Sequence, residues 1–165
     1  MNNTIVTYGK LIFDPPDFTN KHKKQSSWKK VAMVEIDGEI CEYYGWFIFK
    51  RFNLKINPPL RKAHVTIIND KCDDFGESIK LWDEVKNKWQ NKEVKVHLSI
   101  SPRTNGKHWW LNIPEDERIL FHSIRNELGL GRPFFGLHLS IGYVNDKYVL
   151  HSEYIHNLIK LGIIK

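Results

Sequence analysis

The chain has 165 residues, 41% of them hydrophobic and 27% charged, and 25 Lys+Arg against 19 Asp+Glu give it a formal charge of +6. This is the composition of one globular domain covering residues 1–165, and it excludes intrinsic disorder and collagen-like structure. No apolar run approaches the roughly 18 residues that cross a bilayer, and MNNTIVTYGK lacks a basic segment followed by an apolar core. A soluble cytoplasmic protein with no membrane and no obligate protein partner is therefore expected. The basic excess favours an anionic ligand, which a nucleic acid or a small phosphorylated molecule would satisfy equally. Cys41 and Cys72 are too few for a disulfide framework or a four-ligand zinc site, and both are expected as free buried thiols.

The first half reads as β-rich. TIVTYGKLIF is a strand, DPPDFTNKHKKQSS a polar loop, and KKVAMVEI and EICEYYGWFIFK two further strands joined across an Asp37-Gly38 hairpin. The basic cluster Lys21, His22, Lys23, Lys24, Lys29 and Lys30 reads as a surface loop, with a lid over a ligand as the sharper alternative. After Pro58-Pro59, AHVTII at 63–68 is a short β-branched strand. Ile79, Trp82, Val85 and Trp89 recur at helical spacing and predict a helix over 76–90.

Strand VKVHLSI at 94–100 then pairs with KHWWLNI at 107–113 across Asn105-Gly106. Pro114, the acidic residues 115–117, the stripe Leu120, Ile124 and Leu128, and Gly129 mark a second helix. GLHLSIGYV at 136–144 is a strand, and Ser152 is expected to cap a last helix ending near Leu161. The fold class is α+β.

Two strands carry a histidine followed two positions later by a hydroxyl residue: His64-Val65-Thr66 and His138-Leu139-Ser140. Alternation puts the imidazole and hydroxyl of each pair on one face of its strand. Two such strands side by side would surround one cleft with two imidazoles and two hydroxyls, which suits phosphodiester cleavage. A neutral imidazole takes a proton from the attacking hydroxyl, and a protonated one gives a proton to the leaving oxygen. Thr66 and Ser140 would donate to non-bridging phosphate oxygens. That chemistry needs no metal or other cofactor. A single His-x-Ser/Thr is weak evidence, and His97-Leu98-Ser99 repeats the pattern.

The order strand, helix, two strands, helix, strand between 63 and 144 resembles the second part of the 2H phosphoesterase fold, whose two His-x-Ser/Thr motifs lie on neighbouring central strands. The resemblance implies two lobes of antiparallel sheet with flanking helices around a central cleft. It also puts His64 and His138 in the motif positions and leaves His97 as a surface or packing residue. Ser140 stands where threonine is commoner, and the region before Pro58 lacks the helix expected after the first strand. VTYGKLIFDPP, YYGWFIFKR, NPPLRKAHVTIIND and RNELGLGRPFFGLHLSIGYV are similar to segments of the phage anti-CBASS phosphodiesterases. That similarity implies 3′,3′-linked cyclic di- or trinucleotide substrates, cleaved in the cytoplasm of an infected bacterium.

Tyr8, Trp109 and Trp110 are candidates for stacking on bases, and Arg61, Lys62 and Lys71 for drawing in phosphate. His151 and His156 lack acidic or cysteine partners at ligand spacing, so no metal site is expected. GLGRP at 129–133 is a helix stop without the Lys-Ser/Thr of a phosphate loop. Two alternatives stand beside cyclic-oligonucleotide cleavage: hydrolysis of 2′,3′-cyclic phosphate ends on RNA by the same four residues, and a module that binds nucleotides without turnover.

Overall fold

The computed structural model describes residues 3–16, 29–69, 72–133 and 135–164. Among these residues the chain runs β1 (Thr4–Phe13), β2 (Ala32–Ile36), α1 (Glu39–Phe52), β3 (His64–Ile68), α2 (Trp82–Trp89), β4 (Glu93–Ser99) and β5 (Arg103–Thr104). It continues through β6 (His108–Asn112), α3 (Ile119–Glu127), β7 (His138–Tyr143) and α4 (Val149–Lys160), with single 3-10 segments ahead of α2, α3 and α4. The strands form one antiparallel sheet in the order β4-β1-β2-β3-β7-β6-β5, curled into a half-barrel.

Period-two patterning divides the sheet. Leu11, Phe13, Val34, Val65, Val96, Leu98, Leu111 and Leu139 are buried in one core cluster with Tyr44 and Ile48 of α1, Trp82 and Val85 of α2, Phe121 and Ile124 of α3 and Ile155 of α4. The alternate positions form the other face, where Val6, Tyr8, Lys10 and Lys95 are exposed. One face of the sheet is thus covered by helices and the other is open.

In place of two separate lobes, the strands form a single continuous sheet. Strands β4-β1-β2-β3 and β7-β6-β5 join where β3 meets β7 through Val65 and Leu139. The expected hairpin between 94–100 and 107–113 does not form, because β4 pairs with β1 at one edge while β6 pairs with β7 and β5 near the other. The Asn105-Gly106 turn is real, but the strand it returns is the two-residue β5. Only residues 100–102 connect β4 to β5, although these strands are the two edges of the sheet.

Residues 39–52 are a helix where a strand was expected. The aromatic and β-branched content misleads, while the local signals are helical. Asp37 Oδ1 accepts the Glu39 N–H at 3.0 Å, acidic residues fill the first turn and basic ones the last. Cys41, Tyr44 and Ile48 are buried at three- and four-residue spacing. The chain then leaves through Asn53 in the left-handed region and pairs Asn57 with Tyr143. That crossing runs so close to β7 that a Cβ on Gly142 would collide with the Asn57 carbonyl, which explains glycine there.

The two expected amphipathic helices are shorter than their patterns, each beginning as a 3-10 segment, Gly76–Leu81 and Glu115–Glu117. Helix α4 starts at Val149, so Ser152 lies inside it and caps nothing. Its buried Oγ instead accepts the Trp109 indole N–H at 3.1 Å. Ser152→Ala leaves that N–H buried without an acceptor and is expected to destabilise the protein by about 1–3 kcal/mol in urea unfolding.

Candidate active site

Register explains why the two His-x-Ser/Thr strands share a site. Val65 of β3 faces Leu139 of β7, and both point into the core. Their neighbours His64, Thr66, His138 and Ser140 therefore project together from the opposite, open face. The four side chains line one cavity of about 170 Å³, whose remaining wall comes from Ile67, Asn69, Cys72, Asp73, Arg125, Pro133, Phe135 and Gly136.

Both imidazoles are held in the same way. His64 Nδ1 lies 2.7 Å from the Lys62 carbonyl and His138 Nδ1 lies 2.7 Å from the Gly136 carbonyl, each two residues upstream. A carbonyl oxygen only accepts, so each Nδ1 carries the hydrogen and donates it. Nε2 is then left without the ring proton when the imidazole is neutral, and it is the atom free to accept or deliver one. Burial pushes the His64 pKa below its usual value of 6.5. The bond to the Lys62 carbonyl and the Glu35 carboxylate oppose that shift, and the positive charges of Arg61 and His138 add to it.

A second basin of about 600 Å³ adjoins the first and shares Phe135, Gly136, His138 and Ser140 with it. Trp110, Asn112, His108 and Asn105 line its far side. Trp110 pairs with Ser140 in the ladder, and its ring centroid lies 6.0 Å from that of His138. Its indole N–H is donated to Asn112 Oδ1, which fixes the ring beside the histidine. The indole bounds the basin beside His138, an arrangement in which a planar ring could stack on it.

The other expected binding residues separate. Trp109 points the opposite way along β6 into the core, 0% exposed with its N–H on Ser152, although it also borders the second basin. Tyr8 is 58% exposed on the open face but lies on β1, separated by β2 from the histidine strands, and does not line either basin. Arg61 lines a different cavity, with Pro58, Pro59, Cys41 and Ile141. Lys62 is paired with Glu35 at 2.9 Å. Lys71, together with Lys21, His22, Lys23 and Lys24, falls outside the described residues.

His97 lies on the open face and its Nδ1 sits 3.4 Å from Glu117 Oε1. That contact links β4 to the segment after β6, which agrees with a packing role. The two cysteines are free, but only Cys41 is buried, and burial raises its thiol pKa to about 11. Cys72 is exposed at the cleft, contrary to expectation. Among the described residues no group of three His, Cys, Asp or Glu side chains is placed to hold a metal ion, and no helix is long and apolar enough to cross a membrane.

Sequence reading missed Phe135, Arg125 and Asp73. Phe135 is 61% exposed and stands between the two basins. A signal for Arg125 did exist, since a cation occurs four residues after Phe121 and three before Leu128, within the buried stripe of its helix.

Compared with protein-family models, with curated proteins and with solved structures, the chain matches none of them.

His64 titrates low because the fold favours its neutral form. The unfolded chain binds that proton near pH 6.5, so the stability from this group is complete above pH 6.5 and falls as the pH drops toward the lower folded value. Wild type is expected to lose more stability than His64→Gln between pH 7.5 and pH 5, read by urea unfolding at each pH. Equal losses would show that His64 titrates normally.

Proposed function

We propose that the protein is a phosphodiesterase that opens 3′,3′-linked cyclic di- or trinucleotides by metal-independent acid–base catalysis with two histidines, an activity by which a phage would escape CBASS signalling. The observation that carries this reading is the pair of His-x-hydroxyl units on adjoining strands, each with Nδ1 on the carbonyl two residues upstream, around one cavity. Net charge of +6 and two joined basins, one beside a fixed indole, suit an anionic ligand carrying more than one base.

The lowered titration of His64 favours the following division of roles. His64, kept neutral by burial, takes the proton of the attacking hydroxyl, supplied by water or by the adjacent ribose. The oxygen so activated forms a bond to phosphorus. The bond from phosphorus to the leaving ribose oxygen breaks, and His138 gives that oxygen its proton from Nε2. Thr66 and Ser140 donate to the non-bridging oxygens as their charge changes toward the transition state. Catalysis of this kind requires the two rings to be in opposite protonation states, so the activity falls on both sides of an optimum.

Incubation with 3′,3′-cyclic dinucleotides, cyclic trinucleotides and RNA ending in a 2′,3′-cyclic phosphate, in buffer containing EDTA and followed by chromatography, tests the reading. Linear products from the cyclic oligonucleotides are expected. Hydrolysis confined to the RNA ends would instead identify an RNA 2′,3′-cyclic phosphodiesterase, and tight binding with no product would identify a binding module. Restored turnover only on adding a divalent ion would refute the metal-free mechanism.

Each of His64→Ala and His138→Ala should lower kcat on the order of 10²–10⁴-fold in a folded protein, whereas His97→Ala leaves turnover near wild type. A comparable loss at His97 would reverse the assignment. Thr66→Val and Ser140→Ala are expected to raise the barrier by roughly 2–4 kcal/mol, with kcat falling more than KM changes. Weak binding with normal turnover of bound substrate would show that the hydroxyls bind substrate and transition state equally.

A further inference from the structure

Arg125 is 1% exposed, a guanidinium enclosed at the inner end of the cleft. Its Nη1 and Nη2 bind Asp73 at 3.1 and 2.7 Å. Nη1 also donates to the Ile67 carbonyl at 2.7 Å, and Nε donates to the Gly131 carbonyl at 2.8 Å. Asp73 in turn accepts the Asn69 N–H at 2.9 Å.

These partners belong to both halves of the site. Ile67 follows Thr66 on the first motif strand, and Asn69 is the residue just past that strand. Gly131 opens the connection to the second motif strand, and the Gly136 carbonyl at its far end holds the His138 ring. The direct ladder between the two strands runs through Val65 and Leu139. A rigid fork on an enclosed carboxylate therefore ties the first motif strand to the start of the connection that leads toward the second.

Stability alone does not account for an ion pair here. Desolvating two charges costs several kcal/mol each, and apolar residues of similar volume commonly serve a core as well or better. The pair borders the reacting groups and reaches backbone carbonyls on both motif segments, where placement matters most.

Resting on the two-histidine reading of the cleft, we infer that Arg125, locked on Asp73, is a positioning residue that sets the gap between His64 and His138. It acts through β3 and the segment before β7 and touches no reacting atom.

The test replaces both charges at once, Arg125→Met with Asp73→Leu, which leaves net charge unchanged and the space filled. The charges acting on the His64 ring are Arg61, His138 and Glu35. Burial is the largest cause of its low titration, so a change in this variant reports altered surroundings of the ring, and kcat against KM is read beside it. Circular dichroism establishes folding, nitrogen-15 NMR titration follows the His64 ring, and kinetics on the best substrate gives kcat and KM. The expected result is a folded variant whose His64 midpoint moves up toward 6.5 and whose kcat falls about 10–10²-fold, with KM changed by less than about threefold. A folded variant with an unmoved midpoint, or with unchanged kcat, overturns the inference.

If the double variant does not fold, Arg125→Lys takes its place. Lysine keeps the charge against Asp73 but lacks the fork that spans to Ile67 and Gly131, and the same two readouts apply. If wild type cleaves none of the substrates offered, the proposed activity fails while the NMR titration still decides the clamp: a moved midpoint supports it and an unmoved one overturns it.

Discussion

The contact on which the site depends is the meeting of β3 and β7 at Val65 and Leu139. Both residues belong to the core, so hydrophobic burial fixes which way each strand faces. A slip of one residue in either strand would turn its histidine and hydroxyl into the core and present apolar side chains to the cleft. The chemistry of the open face is thus specified by the packing of the covered one. Each ring has then only to be steadied, and the same device serves both: a carbonyl two residues back along the extended chain.

Elsewhere in the fold, polar side chains are paired across long stretches of chain. Trp109 gives its N–H to Ser152, Asp14 receives both Lys86 and the Trp82 indole, and Tyr44 reaches the Ile100 carbonyl. The last of these ties α1 to the end of β4, far along the chain. The turn at 115–118 is held from several directions, with Glu115 facing Arg118, His122 and Arg132 and the Arg118 Nε on the Ile113 carbonyl. Hydrogen bonds of this type add little net energy but are costly to remove, so they select one arrangement more than they deepen it.

What could be read beforehand was local. The strands β1, β2, β3, β4, β6 and β7 are legible from β-rich or alternating runs bounded by turns, and the pairing of imidazole with hydroxyl on one face follows from a period of two. Which two of three similar tripeptides belong together is not legible in the tripeptides themselves, and the choice of His64 and His138 over His97 rests on the order of elements read against the family resemblance. Helix α1 was misread because its buried positions are filled by aromatic and β-branched residues that also suit strands. Trp109 and Trp110 are adjacent and chemically identical, and only the register of β6 against β7 tells core from cleft. The Arg125–Asp73 pair joins residues 52 apart, and no pattern within a helix or strand announces a partner at that distance.

The short link between β4 and β5 bears on the shape of the whole sheet. Seven flat strands would hold their outermost members about 29 Å apart at the usual spacing of about 4.8 Å. Three residues, even fully drawn out, reach roughly 14 Å from the last position of one strand to the first of the other. The sheet therefore has no flat form open to it, and the link acts as a bowstring across its two ends. The contact of His97 with Glu117 adds a second tie from β4, to the segment that follows β6. Curvature is a property of chain connectivity as much as of strand twist. A protein built this way keeps its curvature as long as it keeps its topology.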